Sequence, residues 1–506
     1  MTELEIYIWT GATLFIALML ALGFFSSRKM KSVSDFAIGG GKLGPYLLGL
    51  SFAATYLSAA AFLGYPGWSY EWGYSNLWLF LAIMGGGPIG ALMVAKKVRK
   101  INTSQKSLSL SDWLGDFYHS DILRVGTGII LLFNIFYIAA QFVAGARIFE
   151  YLLGISYTQA LILNAAIVII YVFVGGTLAD VYTDAIQVLL MAIAGIVVFV
   201  SGIVLFWQGS LADTFTEITS NLKAQDPNLT YVFNPDSAYF DSITAVIGAI
   251  LIQWAFAVSA PHLFNKVLGL NKEKDVGKMI LVYVITMICC VFVFFGGIYS
   301  RVALGDTIEM SDMALMEYIV QVFPAILAAF MVVVILAAAL STTDGLFVSI
   351  STIFANDFFL KVLVRRGIVQ ANHEQAERIA LKISRLSVIG IGLLAFLIVL
   401  KPPQYMGDIM WIGISGVAAG TVGPVLYAIY GKKKASPRAA ELSMVIGLLS
   451  YLVLYFSGIE TSTMAAGAWA TLIGIGVMFF LAKILKVPQS NKNTDEKIVV
   501  KSYKAK

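Results

Sequence analysis

The sequence predicts an all-helical protein that crosses a membrane many times. Of its 506 residues, 59% are hydrophobic and only 13% are charged, and the mean hydropathy is +0.82. Apolar stretches recur from end to end, each long enough to cross a hydrocarbon core of roughly 30 Å. These values exclude a soluble globular protein.

The length and spacing of the apolar stretches predict about thirteen membrane spans. We place them at residues 5–27, 44–69, 75–97, 123–153, 158–176, 178–208, 240–268, 278–304, 319–358, 378–401, 404–430, 437–457 and 463–486.

Basic residues concentrate in alternate loops, which sets the predicted orientation. They are Arg28, Lys29, Lys31, Lys96, Lys97, Arg99, Lys100, the segment from Lys266 to Lys278, Lys361, Arg365, Arg366, Lys432 to Lys434 and the Lys-rich tail. Such loops remain cytoplasmic, so the N-terminus is predicted outside and the C-terminus inside. The net charge of +5 therefore indicates membrane topology and gives no sign of nucleic-acid binding.

Two spans have interrupted sequences. Residues 44–69 contain LGLSFAATYLSAAAFLGYPG, and residues 240–268 contain IGAILIQWAFAVSAPHLFNK. Proline and alanine are common in membrane helices, which would explain either span alone. A pair of interrupted spans five apart, however, predicts a transporter built from two inverted five-helix repeats.

The ninth span carries polar side chains in its apolar centre, at LAAALSTTDG (residues 336–345). Helix spacing directs the Ala338 carbonyl and the Ser341 and Thr342 hydroxyls to one side. Hard oxygens of this kind suit a small cation such as Na+. The alternative is that the hydroxyls bond back to carbonyls one turn earlier. Asp344 at membrane depth favours a functional site, because such groups are costly.

Several motifs resemble those of the sodium:solute symporter family, whose members carry proline, pantothenate, monocarboxylates, sialic acid or sugars. They are FAIGGGKLGP and LGYPG around the second span, VAGARIFE in the fourth, VGGTLADVYTDAIQ across the fifth and sixth, and ALST in the ninth. The resemblance covers nearly the whole chain. It implies a LeuT-like core of two inverted repeats, with one helix before and two after.

The resulting division of the chain has six parts. They are an extra helix and loop (1–43), the first repeat (44–208), an external loop with a short helix or a lid (209–239), the second repeat (240–430), two further helices (431–486) and a cytoplasmic tail (487–506).

The resemblance also implies a sodium site between the second and ninth spans. Its ligands would be the carbonyls of Ala54, Leu57 and Ala338 and the hydroxyls of Ser341 and Thr342. Na+ is the implied coupling ion.

A possible second cation site involves Asp184, Asp344 and Ser341. Asp184 matches an acidic position of some family members, but the usual two serines are replaced by Asp344 and Gly345. A second sodium, an Asp pair sharing a proton, and proton participation in transport are three open alternatives.

The solute is expected at the two helix breaks. The candidate residues are Thr55, Tyr56, Ser58, Tyr137, Gln141, Gln253 and Trp254. A pocket poor in amides favours a compact carboxylate, either a monocarboxylate or a pantothenate-like solute, over a polyol. The alternative is a neutral or zwitterionic solute such as proline. His262 is interpreted as a structural or capping histidine near the cytoplasmic end, with proton coupling as the other possibility.

Other protein classes fit less well. A channel would repeat a filter around a pore, a sensor would need an output domain, and an enzyme would need a nucleophile, metal set or nucleotide loop. The expected partners are a small-molecule solute, sodium and the bilayer of a bacterial or archaeal cell membrane, with no nucleic acid.

Overall fold

The computed structural model describes residues 2–27, 32–401, 403 and 405–486. In these residues the regular structure is helical, apart from an isolated bridge between Leu43 and Leu270. The predicted basic residues Arg28, Lys29 and Lys31 and the tail lie outside the described residues.

The helices up to the external loop include both short and membrane-length elements. They are α1 (Glu3–Ser27), α2 (Val33–Ile38), α3 (Pro45–Tyr56), α4 (Ala59–Phe62), α5 (Gly64–Trp72), α6 (Leu77–Gln105), α7 (Leu110–Tyr118), α8 (Asp121–Leu131), α9 (Asn134–Leu153), α10 (Tyr157–Leu205) and α11 (Leu211–Gln225).

The second half follows the same pattern. Its helices are α12 (Ile243–Ser259), α13 (Pro261–Gly269), α14 (Val276–Val291), α15 (Phe295–Leu304), α16 (Ala314–Val322), α17 (Ala325–Thr352), α18 (His373–Ile398), α19 (Met406–Tyr430), α20 (Pro437–Phe456) and α21 (Thr463–Ile484).

The protein is a multi-pass membrane protein. Among the described residues, ten helices are long and apolar enough to cross a membrane, and counting the bent pair α12 and α13 as one span makes eleven. The count of thirteen spans and the orientation of the termini remain predictions.

A single glycine separates the predicted fifth and sixth spans within α10. Gly176 has φ 60° and ψ −177°, a conformation that essentially only glycine adopts without strain. The two spans therefore meet at a sharp kink, close to the predicted boundary at residues 176–178.

The ninth span begins later than the sequence predicts. Phe323 is extended, with φ −89° and ψ 150°, and α17 starts at Ala325. Pro324 explains the difference, because a proline disfavours helical backbone in the residue before it. The predicted start at residue 319 was therefore wrong. The span continues beyond Thr352 as a π-helix, Ile353–Val364.

The central element of the core is α17. Every residue from Val334 to Thr352 is buried, and the helix packs against α1, α9 and α10. Its polar side chains are therefore surrounded by other protein groups. Because buried polar groups in a membrane are costly, the groups that they contact indicate a functional site.

The external loop contains the predicted helix, α11. Beyond it, Tyr239 stacks on Trp68 of α5, with ring centroids 4.5 Å apart. This contact attaches the end of the loop to α5, in the C-terminal part of the second span. A role of the loop as a lid remains a prediction.

Candidate functional site

The second span is broken at Leu57 and Ser58. Both residues are extended, with φ/ψ of −95°/108° and −92°/−176°. The amide of Leu57 donates the last helical hydrogen bond of α3, to the carbonyl of Ala53, at 3.1 Å. Carbonyls beyond Ala53 are therefore available to other partners. The predicted interruption of this span is confirmed.

The seventh span is broken at Ala260, which is extended (φ −61°, ψ 120°) between α12 and α13. The two helices are bent by 46°. Pro261 occupies the first position of α13, where its missing N–H costs no helical hydrogen bond. This interruption is also confirmed.

The five oxygens of the predicted sodium site come together between the first break and α17. The hydroxyl of Ser341 lies 3.3 Å from the Ala54 carbonyl oxygen and 3.1 Å from that of Ala338. The hydroxyl of Thr342 lies 3.5 Å from the Ala54 carbonyl oxygen and 3.4 Å from that of Leu57. All five residues are buried. We call this group the oxygen cage.

The neighbouring Thr343 behaves differently. Its hydroxyl donates to the carbonyl of Ala339, four residues earlier, at 2.6 Å. This is the local back-bonding that the sequence offered as the alternative for the hydroxyls of this span. Ser341 also bonds back, to Ala338, but it and Thr342 both reach across to α3.

Four of the predicted solute residues surround the first break. Tyr56 donates its hydroxyl to the side-chain oxygen of Gln253 at 2.7 Å. The side-chain oxygen of Gln141 accepts from the amide of Ala59 at 3.0 Å, and its side-chain nitrogen has no partner among the described residues. Ser58 caps α4. The two broken spans are thus joined through polar side chains.

Tyr137 and His262 lie against each other at the second break. Their ring centroids are 5.8 Å apart, and both rings also contact Phe256. His262 is 1% exposed, and neither ring nitrogen makes a hydrogen bond within the described residues. His262 therefore caps no helix within the described residues but packs in the first turn of α13 against a predicted solute residue, and its interpretation as a structural histidine stays a prediction.

Two predicted solute residues lie elsewhere. The hydroxyl of Thr55 donates to Asp184 at 3.0 Å, on the side of α3 that faces α10. The indole N–H of Trp254 contacts the sulfur of Met93 at 3.3 Å, on α6. The structure brings neither side chain to the group formed by Tyr56, Gln141 and Gln253.

Lys266 is buried, which corrects its assignment to a cytoplasmic loop. Its side chain is 2% exposed, and its ammonium forms ion pairs with Asp180 and, at 3.0 Å, with Asp184. Lys266 lies on α13, one turn after His262, and its side chain turns inward. We call Asp180, Asp184 and Lys266 the charged cluster.

No hydrogen bond within the described residues joins the three residues of the possible second cation site, which therefore stays a prediction. Ser341 belongs to the oxygen cage, whereas Asp184 belongs to the charged cluster. Asp344 is 2% exposed, and neither of its carboxylate oxygens has a hydrogen-bond partner in the described part of the chain. No group of three or more acidic, histidine or cysteine side chains in the described residues has the geometry to hold a metal ion.

Sequence reasoning missed Asp180 and Lys266, although a signal was available. Asp180 and Asp184 are four residues apart, as are His262 and Lys266, so each pair shares a helix face. A face with two carboxylates predicts a buried cation partner nearby. The positive-inside rule assigned Lys266 to a cytoplasmic loop, so Lys266 was not considered as that partner.

The comparisons with known proteins identify the family. The sequence model of the "Sodium:solute symporter family" matches residues 36–447, most of the chain. The chain belongs to the sodium:solute symporter family. It is therefore a sodium-coupled transporter of a small solute and not an enzyme.

Several symporters are similar to the chain along most of its length. The osmoregulated proline transporter OpuE of Bacillus subtilis (strain 168) is 25% identical over 470 residues, covering 91% of each chain. The sodium/pantothenate symporter of Haemophilus influenzae is 28% identical over 437 residues, covering 85% of each. The sodium/proline symporter of Escherichia coli (strain K12) is 27% identical over 452 residues, covering 86% of this chain and 85% of that one.

Solved structures show the same fold. A Na+-coupled sialic acid symporter in a substrate-bound outward-open state superimposes with a TM-score of 0.76 at 19% identity, covering 95% of this chain and 98% of that one. Mhp1, a nucleobase-cation-symport-1 family transporter, gives 0.56 at 14% identity, covering 92% and 98%. The symporter therefore has a LeuT-like fold.

Proposed function

We propose that this symporter imports a small organic solute bearing a carboxylate, driven by Na+, through alternating access across the cell membrane of a bacterium or archaeon. The observation that carries the proposal is the pair of broken spans, one of which contributes carbonyls to the oxygen cage. The expected orientation has the N-terminus outside and the C-terminus inside, with thirteen spans.

The oxygen cage is the proposed sodium site, with Ala54, Leu57, Ala338, Ser341 and Thr342 as its ligands. These are neutral oxygens, so the site attracts Na+ less strongly than a set of carboxylates would. Modest affinity suits an ion that has to be released inside the cell in every transport cycle.

The proposed solute site lies at the two breaks, among Tyr56, Ser58, Tyr137, Gln141 and Gln253. Two kinds of donor support a carboxylate there. The side-chain nitrogen of Gln141 is buried and has no acceptor within the part of the chain that the structure describes. The first N–H groups of α13 have no helical acceptor and form the positive end of its dipole.

The second candidate solute is a zwitterion such as proline. The relatives whose names specify proline favour it, and proline carries a carboxylate that the same donors would bind. A pantothenate-like solute is supported in the same way by the pantothenate relative. A polyol is disfavoured because each unpaired buried hydroxyl is costly.

The driving force from one Na+ is enough for substantial accumulation. At a potential of about 100 mV and a tenfold gradient, one ion releases about 2.3 plus about 1.4 kcal/mol, which corresponds to a few hundredfold accumulation of a neutral solute. A monoanion carried with one Na+ is electroneutral and loses the voltage contribution.

Uptake into proteoliposomes tests the proposal. Proline, pantothenate, short monocarboxylates and sugars are compared in sodium and in choline medium. We expect sodium-dependent uptake of a carboxylate-bearing compound and none in choline. Equal uptake in choline would contradict sodium coupling, and uptake of sugars alone would contradict the solute class.

A further inference from the structure

Lys266 links three elements that surround the oxygen cage. It lies on α13, its acidic partners Asp180 and Asp184 lie on α10, and Asp184 is bonded in turn to α3. The hydroxyl of Ser51 donates to Asp184 at 2.6 Å, and that of Thr55 donates at 3.0 Å. Thr55 follows Ala54, whose carbonyl belongs to the oxygen cage.

One carboxylate oxygen of Asp184 has all the partners it can accommodate. Oδ2 receives the Ser51 hydroxyl, the Thr55 hydroxyl and the Lys266 ammonium. A sodium ion at this oxygen would have to displace one of them. It would also lie close to the ammonium, and like charges repel strongly where water is excluded.

The remaining carboxylate oxygens near the ammonium are unpaired. Oδ1 of Asp180, Oδ1 of Asp184 and both oxygens of Asp344 are buried without a hydrogen-bond partner in the described residues. Lys266 is therefore the cation that pairs with Asp180 and Asp184, and its removal would leave both buried carboxylates without an ion-pair partner in the described residues.

We propose that the ammonium of Lys266 is a tethered substitute for a second transported cation, so that the symporter moves one Na+ per solute. An ammonium supplies the same single charge as Na+, but it is covalently held and cannot be released. This inference rests on the proposed function, because it specifies the stoichiometry of sodium coupling. With one Na+ per solute, the import of a monoanion is electroneutral.

Binding of radioactive Na+ to the purified full-length protein tests the inference. The wild type is expected to bind one ion per chain with a Hill coefficient of 1. In Lys266→Ala the carboxylates of Asp180 and Asp184 lose their cation, and we expect a second bound ion and a Hill coefficient above 1.

Two controls accompany this variant. Lys266→Arg keeps a fixed positive charge and is expected to bind one ion. Lys278→Ala removes an exposed lysine on the nearby α14, where the pair with Asp275 is separate from the charged cluster, and should also leave one ion.

The outcomes separate the inference from the proposed function. Two ions bound by the wild type, or one ion bound by a folded Lys266→Ala protein, would overturn the tethered cation and leave sodium coupling intact. If Lys266→Ala does not fold, the wild-type stoichiometry decides by itself, because one ion supports the inference and two overturn it. No sodium binding by the wild type would overturn the proposed function and this inference with it.

Discussion

Adjacent hydroxyls on α17 have different partners. Thr342 reaches the carbonyls of Ala54 and Leu57 across the first break, whereas Thr343 bonds only to its own helix. The side chains have the same chemistry and nearly the same burial, so they form a matched pair for testing the oxygen cage.

Thr342→Ala is expected to weaken sodium binding by about ten- to hundredfold. Loss of one contact to a charged group costs about 1.5–3 kcal/mol, and each 1.4 kcal/mol is about tenfold in Kd. Sodium titration of solute uptake measures the change. Thr343→Ala is the control, and an equal loss of sodium affinity in both variants would rule out a specific role for Thr342.

Gln141 tests the class of solute. Replacement by glutamate keeps an oxygen for the amide of Ala59 but removes the free side-chain donor and adds a negative charge. For a carboxylate solute we expect Gln141→Glu to raise KM at least about tenfold, since a lost donor and charge repulsion together exceed about 1.4 kcal/mol.

The sodium affinity measured without solute provides the control for Gln141→Glu, because Gln141 does not contact the oxygen cage. An unchanged KM in this variant would mean that the carboxylate of the solute binds somewhere else.

At the scale of elements, α5, which follows the first break, packs tightly against α15. A Cβ on Gly297 would lie 1.8 Å from the carbonyl oxygen of Pro66, so no side chain fits there. By contrast, a Cβ on Gly390 of α18 would meet nothing within 4 Å.

Gly297→Ala is therefore expected to lower the thermal stability and the transport rate, because overpacking costs about 1–3 kcal/mol and shifts the backbone. Gly390→Ala should leave both at the wild-type level. Thermal unfolding in detergent and uptake in proteoliposomes measure the two effects. A Gly297→Ala protein with wild-type stability and rate would show that this contact does not hold α5 in place.

Both breaks could be predicted from the sequence, because Ser58 is a residue type that caps the start of a helix and Pro261 one that occupies the first helical position. The start of α17 could also have been found from Pro324. The direction of Thr55 could not, because Thr55 and Ala54 are about 100° apart on α3 and only packing decides which of them faces α17. The same holds for Lys266, whose inward turn depends on two carboxylates contributed by another element.

At the scale of the whole molecule, an ion-pair network connects α7 and α8 with the π-helical segment that follows α17. Arg124 pairs with Asp112, Asp116 and Asp121 of α7 and α8, and Lys361 of the π-helical segment pairs with two of them, Asp112 and Asp116. The side chain of Arg124 is 2% exposed, so its charge depends on these partners rather than on water.

Arg124→Ala is expected to destabilise the fold by about 1.5–3 kcal/mol, because it removes charged contacts to the buried Asp112 and its neighbours and leaves only Lys361 and Arg366 as their counter-charges. The exposed pair of Arg378 and Glu374 is the comparison, and Arg378→Ala should change stability by less than about 1 kcal/mol. Thermal unfolding of the purified proteins measures both. Equal stability of the two variants would mean that the network contributes no more than a surface ion pair.

The most direct test of the sodium site is the binding of radioactive Na+ to purified protein in the absence of solute, with Ser341 and Thr342 both replaced by alanine. The account predicts saturable binding to the wild type and at least about a hundredfold weaker binding to the double variant, because two of the five ligands are lost. Unchanged affinity in a folded double variant would place the sodium ion outside the oxygen cage and contradict the account.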